Sequence, residues 1–338
     1  MLRITAPNGV VFPYLNSAKE YLLHGGDVKT FYKNQFEEIN QAIPIVIGWQ
    51  TDESPLSFTV KYSTDTMLEG CNTLTVKGSE RQIGVYNLLK DATYFVEVVA
   101  NYSGCKTEKA RSTFKTTDLG PRPIKIDGIY NTRDIGGYKC QNGFTTAQGK
   151  IFRGGLLSPC KDYESVGLTL SGKTHMSKTL GIKTEIDLRT PQEAECGSVS
   201  AIPDARLIYT SIEGYDALPD YSDGVKALFS ILADGNNYPV YIHCTGGADR
   251  TGTICYLINA LLGVDEKTLI QDYEFTSFSY FGVRSVTDGW TKPLFEKFKR
   301  LINGNFGDTL SEKTENLLLS IGVTKSQIEG LRKIMTYR

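Results

Sequence analysis

No CxxC pair occurs among the seven cysteines (71, 105, 140, 160, 196, 244 and 255), and no cysteine or histidine falls at a zinc-ligand spacing. No metal and no cofactor is therefore expected, and the odd count leaves at least one thiol unpaired. Charge of one sign is lacking too: 37 Lys and Arg face 38 Asp and Glu, a formal net charge of -1. That removes any general pull toward nucleic acid or an anionic membrane, so anion binding must be local. No apolar run reaches the roughly 18 residues of a membrane span. The N-terminal apolar run breaks at Pro13, which argues against a signal peptide, and a soluble protein is expected. Its compartment stays open between the cytoplasm and, had a signal been removed, the cell envelope or exterior. Repeats and low-complexity tracts are absent.

What is present divides in two, as 338 residues would suggest. Between about residues 40 and 118 apolar residues alternate with period 2: Ile45, Ile47, Trp49; then Phe58, Val60, Tyr62; then Tyr94, Val96, Val98 and Ala100. That pattern predicts an antiparallel sandwich. The succession IPIVIGW, SFTVKYSTD, LKDATYFVEVVANYSG and ARSTFKTTD resembles a fibronectin type III domain, with Trp49 as its core tryptophan and Tyr94 as its corner tyrosine. The resemblance implies a protein or glycan partner for the sandwich. Ile4 and Val10 to Phe12 read as edge strand, and 28–38 as a short helix or loop. Asp118-Leu-Gly-Pro-Arg-Pro123 ends a strand and stiffens the chain, which places a boundary between a sandwich over 1–118 and a second domain over 119–338. From there strands (151–155, 184–188, 239–243) alternate with helical stretches (171–180, 222–233, 251–263 and two more near the C-terminus), the order of a mostly parallel sheet covered by helices.

The strand PVYIH runs into His243-Cys-Thr-Gly-Gly-Ala-Asp-Arg-Thr-Gly252 and then an apolar helix, a junction at which α/β sheets bind ligands. Five residues between Cys244 and Arg250 close a loop whose successive N–H groups, those of Thr245, Gly246, Gly247 and Ala248 among them, can converge on one tetrahedral oxyanion. The thiolate, not the thiol, is the nucleophile, and it is favoured by a helix N-terminus and a nearby guanidinium. Cys244 is thus a candidate nucleophile and Arg250 a planar fork for two phosphoryl oxygens. Thr251 can donate to the sulfur as it leaves, and His243 is expected to order the loop. A nucleotide-binding P-loop fails because Thr253 stands where its lysine belongs.

The loop matches the HCxxGxxR[ST] signature of cysteine-dependent protein tyrosine phosphatases. Asn131-Thr-Arg-Asp-Ile-Gly-Gly137, Ile151-Phe-Arg-Gly-Gly155 and Asp187-Leu-Arg-Thr-Pro-Gln-Glu193 resemble blocks of the bacterial and fungal tyrosine/serine phosphatase branch, over roughly residues 124–338. The resemblance implies hydrolysis of phosphotyrosine-type monoesters, in a protein or a small molecule, through a cysteinyl-phosphate, with dual specificity open. It also implies Asp249 as general acid and base, with Asp216 and Asp220 as alternatives on an upstream loop. Arg153 is expected near the pocket; Asp134 and Asp187 read first as structural, tying loops to Arg133 or Arg189, with a place for Asp134 at the pocket mouth left open. The branch has lysine where Ala248 stands, and losing that cation argues against polyphosphorylated inositols. A phosphoinositide or inositol phosphate phosphatase of the same mechanism, and a phospho-ligand binder without turnover, are the competing readings.

Overall fold

The period-2 runs become strands wherever alternate residues can be buried on one face. The computed structural model describes residues 1–32, 42–195 and 197–338, and these form two compact units. The first comprises Met1–Tyr14 and Ala42–Asp118; the second comprises Leu15–Gln41 and Leu119–Arg338. This differs from a single cut at residue 118, because the chain leaves the first unit after Tyr14 and returns to it at Ala42. Of the stretch 28–38, a one-turn helix at Val28–Thr30 is seen and 33–38 lie outside the described residues.

The first unit contains β1 (Arg3–Ala6), β2 (Val10–Val11), β3 (Ile45–Gln50), β4 (Ser57–Ser63), β5 (Asn72–Lys77), β6 (Gln82–Val85), β7 (Thr93–Asn101) and β8 (Thr107–Thr116). They make two sheets, ordered β1-β3-β6 and β2-β8-β7-β4-β5. Ile45, Ile47 and Trp49 from the first share a core with Phe58, Val60, Val96, Val98 and Ala100 from the second, and Trp49 meets Phe58 at a centroid distance of 5.1 Å. Tyr94 stacks on Phe114 at 5.5 Å, and its hydroxyl accepts a hydrogen bond from the Leu89 N–H at 2.8 Å.

The second unit opens with α1 (Asn16–His24) and continues with β9 (Arg122–Pro123), β10 (Arg133–Asp134), β11 (Thr145–Thr146), β12 (Ile151–Gly154), β13 (Thr184–Asp187), β14 (Arg206–Tyr209), β15 (Val240–His243) and β16 (Thr336–Tyr337). Its main sheet runs β14-β13-β15-β12-β10-β9; the first four strands are mutually parallel, β10 is antiparallel to β12, and β9 is antiparallel to β10. The helices are α2 (Leu170–Thr174), α3 (Pro191–Ala194), α4 (Ser222–Leu232), α5 (Asp249–Leu262), α6 (Glu266–Glu274), α7 (Thr291–Asn303), α8 (Leu310–Ile321) and α9 (Lys325–Met335).

Both faces of this sheet are covered, which is why β15 reads as an almost unbroken apolar run. Val240 and Ile242 enter the core built with α4, α5, α8 and α9, while Tyr241 enters the opposite one with Phe152 and Met176. Each such aliphatic side chain contributes about 1.5–3 kcal/mol on burial. Helix α5 is buried from Thr251 to Leu262, so it is apolar all round and fixes the direction in which its N-terminus points. Gly263, at φ +93°, closes it with a left-handed cap.

Helix α1 belongs to this unit by its contacts. Ala18, Tyr21 and Leu22 are buried, the Tyr21 ring packs on Phe278 at 5.7 Å, and its hydroxyl bonds the Glu274 carboxylate. Lys29 pairs with Asp288 at 2.6 Å.

Candidate active site

Five successive carbonyls of the loop between β15 and α5 are tied to groups behind it. His243 Nδ1 contacts the Cys244 oxygen at 3.2 Å, and the Leu156 N–H donates to the Thr245 oxygen at 2.9 Å. Asn131 Nδ2 donates to the Gly246 oxygen at 2.9 Å and Arg153 Nη2 to the Gly247 oxygen at 2.8 Å. The Ala248 oxygen accepts from the Gly252 N–H at 2.9 Å, the first turn of α5. A peptide plane whose oxygen is held outward directs its N–H inward. The N–H groups of the loop are therefore aimed together, and no side chain caps the N-terminus of α5. A concavity of N–H groups at a helix start is an anion site.

Glycine at 247 is required twice over. Its φ is +62°, and a Cβ there would stand 2.1 Å from the Gly154 oxygen. Gly246 lies under the Phe281 ring, whose Cγ would be 3.3 Å from an added Cβ.

Cys244 sits at the base of the loop as a buried free thiol. Thr251, in the first turn of α5, is buried and its hydroxyl makes no hydrogen bond, so that donor remains unused. Arg250 lies at the mouth: its Nη1 and Nη2 bond the two Glu193 oxygens at 2.7 and 2.5 Å, and Glu213 stands 3.7 Å from Nη1. This end-on pairing leaves the Nε edge of the guanidinium for a second, planar partner. Burial alone would lower Arg250, but the Glu193 bond and the charges of Cys244 and Glu193 raise it above the ordinary guanidinium value. Glu193 is itself held below the usual carboxylate range by the Arg250 bond. It is presented by α3, which Thr190 caps by accepting from the Glu193 N–H at 3.1 Å and which Pro191 starts.

Asp249 is held by three donors. Arg284 Nε and Nη2 reach its two oxygens at 2.9 and 2.8 Å, and the Tyr215 hydroxyl reaches Oδ1 at 2.5 Å. Asp216 and Asp220 are exposed on the turn Tyr215–Tyr221, Asp216 within 4.0 Å of Lys297.

Two residues expected near the pocket are wholly buried. Arg153 is wholly buried, with Nη1 on Asp272 at 3.1 Å and Nη2 on the loop carbonyl, so it braces the loop from behind. Asp134 is equally buried and accepts from the Gly136 and Gly149 N–H groups and from Arg122, tying two turns together. Both sit on short strands of a covered sheet. His243 lies as expected in the loop's support: its Nε2 meets Glu185 at 3.0 Å, with Asp187 at 3.9 Å. Burial would lower its pKa, but the charges of Asp187 and Glu185 outweigh that and raise it. Among the described residues no group of three or more His, Cys, Asp or Glu could hold a metal ion.

The sequence reading did not single out Asn131, Glu193, Tyr215, Asp272, Phe281 or Arg284. Asn131 and Glu193 lay inside the quoted blocks, and that was the one signal available for them.

Residues 124–336 match the profile of the tyrosine phosphatase family. The chain belongs to that family. A protein of Cupriavidus necator that carries the name of a tyrosine-protein phosphatase is 26% identical over 183 residues, 46% of this chain and 63% of the relative. The chain thus spans less than two thirds of that relative's length. Among solved structures, the core catalytic domain of the PP-IP phosphatase SIW14 from S. cerevisiae, in complex with citrate, aligns at 18% identity and a TM-score of 0.32, over 47% of this chain and 91% of that one. The fn3 domain of human collagen alpha-1(XX) chain aligns at 16% identity and a TM-score of 0.20, over 21% and 67%. No described helix is long and apolar enough to cross a membrane.

Proposed function

We propose that this family member hydrolyses phosphotyrosine-type phosphomonoesters through a cysteinyl-phosphate. The observation that carries the reading is the row of five outward-held carbonyls from Cys244 to Ala248, which aims the loop's N–H groups at one point beside a free thiol. In the first step the Cys244 sulfur attacks phosphorus, the bond from phosphorus to the ester oxygen breaks, and Asp249 gives that oxygen a proton. In the second, water attacks phosphorus, the S–P bond breaks, Asp249 takes the water's proton and phosphate leaves. Arg250 and the loop N–H groups bind the three equatorial oxygens as their charge redistributes. Thr251 can donate to the departing sulfur.

Charge near the mouth supports a singly phosphorylated substrate. Arg250 faces Glu193 and Glu213, and Arg284 is committed to Asp249. Arg153 and Arg189 are buried in pairs with Asp272 and Asp187 and supply no charge there. Ala248 is also buried, so a lysine introduced there has no open space to reach into, and the wild-type protein is the cleaner test.

The paired sheets and the Tyr94 corner support reading 1–14 with 42–118 as a fibronectin type III-like module with a protein or glycan partner, and 15–32 with 119–338 as the phosphatase domain. The deciding measurement is kcat/KM of the wild type for a phosphotyrosine peptide, a phosphoserine peptide and a soluble phosphoinositide, with Cys244→Ser as control. Preference for the phosphoinositide overturns the substrate assignment. Binding of all three without turnover makes the protein a phospho-ligand binder, and turnover by Cys244→Ser at a tenth of the wild-type rate refutes covalent catalysis.

A further inference from the structure

The guanidinium that holds Asp249 is itself fixed independently of it. Arg284 follows α6 in the chain, and the Ser277 hydroxyl brackets it by accepting from its N–H at 2.8 Å and donating to its carbonyl at 3.0 Å. Arg284 Nη1 donates to the carbonyls of Phe281 and Val283 at 3.1 and 3.2 Å, and the plane lies 4.8 Å from the Trp290 ring. Side chain and backbone are both tied down before Asp249 is counted, so the Nε–Nη2 edge is presented in one orientation.

We infer that Arg284 is a positioning residue for the proton shuttle, an inference that rests on assigning that role to Asp249. The two carboxylate oxygens are not equivalent. Oδ1 accepts from Tyr215 and from Arg284 Nε, while among the described residues Oδ2 accepts only from Arg284 Nη2. A carboxylate oxygen offers two in-plane acceptor sites, so Oδ1 is filled and Oδ2 keeps one free. The proton passed to the leaving oxygen and recovered from water therefore travels on Oδ2.

Tyr215 from the 215–221 turn, Tyr273 from α6 and Arg284 are the titratable and charged groups recorded against this carboxyl. Burial pushes both tyrosines well above the ordinary phenol range, so they remain neutral donors, linked hydroxyl to hydroxyl at 2.6 Å. Arg284 is the charged member of the set. Its two-pronged grip fixes the plane of the carboxyl and the direction in which the free site on Oδ2 points.

The test compares wild type, Arg284→Gln, Arg284→Lys and Asp249→Asn on p-nitrophenyl phosphate and on phenyl phosphate, whose leaving group is poorer. Loss of the two-pronged grip is expected to lower kcat of Arg284→Gln on phenyl phosphate roughly tenfold, while kcat on p-nitrophenyl phosphate, whose leaving group needs little help from a proton, falls less than about threefold and its KM changes less than about twofold. Arg284→Lys keeps the charge without the grip, so its kcat on phenyl phosphate should fall by a smaller factor. Equal losses on the two esters in a folded Arg284→Gln protein, where Asp249→Asn loses more on phenyl phosphate, overturn the inference. If Arg284→Gln does not fold, a wild-type kcat for Arg284→Lys on phenyl phosphate overturns it alone. Should Asp249→Asn lose no rate on phenyl phosphate, the assignment of Asp249 fails first and the shuttle lies elsewhere.

Discussion

Replacing Asn131 tests whether the outward-held carbonyls are what shape the oxyanion site. Asn131 donates from Nδ2 to the Gly246 oxygen at 2.9 Å, accepts at Oδ1 from Arg133 Nη1 at 2.5 Å, and occupies the left-handed region at φ +61°. Asn131→Ala removes two neutral hydrogen bonds, to Gly246 and, longer at 3.4 Å, to the Thr276 hydroxyl, of about 1 kcal/mol or less each, and one to a charged group of about 1.5–3 kcal/mol. It also puts a Cβ without a polar tip at positive φ, at about 1 kcal/mol or more. The expected loss of stability is therefore on the order of 4 kcal/mol. Asn131→Gly loses the same bonds without the backbone strain, so it should recover about 1 kcal/mol of that, read by urea unfolding. In both variants the Gly246–Gly247 peptide is free to rotate and the Gly247 N–H leaves the concave set. Vanadate inhibition should then weaken roughly tenfold, equivalent to about 1.4 kcal/mol, in Asn131→Gly as in Asn131→Ala. A glycine variant that is destabilised yet binds vanadate as wild type does would show that the loop holds its shape without this tie, and the reasoning from carbonyls to N–H groups would fail.

Glu193→Gln should lower kcat/KM about tenfold for good and poor leaving groups alike, because it loosens the phosphate fork and not the proton shuttle; a loss confined to phenyl phosphate would place Glu193 in proton transfer instead. His243 is raised above its ordinary value by Asp187 and Glu185, so its stabilising contribution is full below about pH 6.5 and fades as pH rises through its folded-state value. Glu185→Gln should accordingly lower Tm more at pH 6 than at pH 9, and an equal drop at both would refute that linkage. Removing residues 1–118 deletes α1 and leaves Glu274 and Phe278 uncovered, so the remainder should be unstable; Tyr21→Ala in the full chain should cost about 3–5 kcal/mol by urea unfolding, and an unaffected variant would show that α1 is dispensable.

The parts of this molecule legible in its sequence are those where one local pattern has one physical outcome. Alternation in IVIGW and FVEVVA can bury only one face, and a central strand covered on both sides must read as VYIH. The loop was readable for the same reason: a thiol, two glycines and an arginine at fixed spacing leave little else to do. The burial of Arg153 and Asp134 was not legible, because a charged side chain in a quoted block looks like a ligand contact until its surroundings are known. Both turn out to be wholly buried, Arg153 held through its two Nη atoms and Asp134 through both carboxylate oxygens. The lone run NSAKEYLLH carried too little pattern to say which unit it covers, and only Tyr21 meeting Glu274, 253 positions away, decides it.

The remaining site residues share a property that explains why they were missed. Asn131 reaches Gly246 across 115 positions, Glu193 reaches Arg250 across 57, and Arg284 reaches Asp249 across 35. The loop's chemistry is spelled in ten consecutive residues because reacting groups must converge on one atom, whereas a brace has only to arrive from some neighbouring element. Any polar side chain of the right length could serve, so the sequence around a brace carries no signature of its task. Arg284 stands in YFGVRSVTDG, a stretch with no periodicity, and its meaning comes from α6 delivering that segment beside the N-terminus of α5. A sequence motif can thus name the candidate reacting groups of this site, while the geometry around them is distributed among residues that motif does not name.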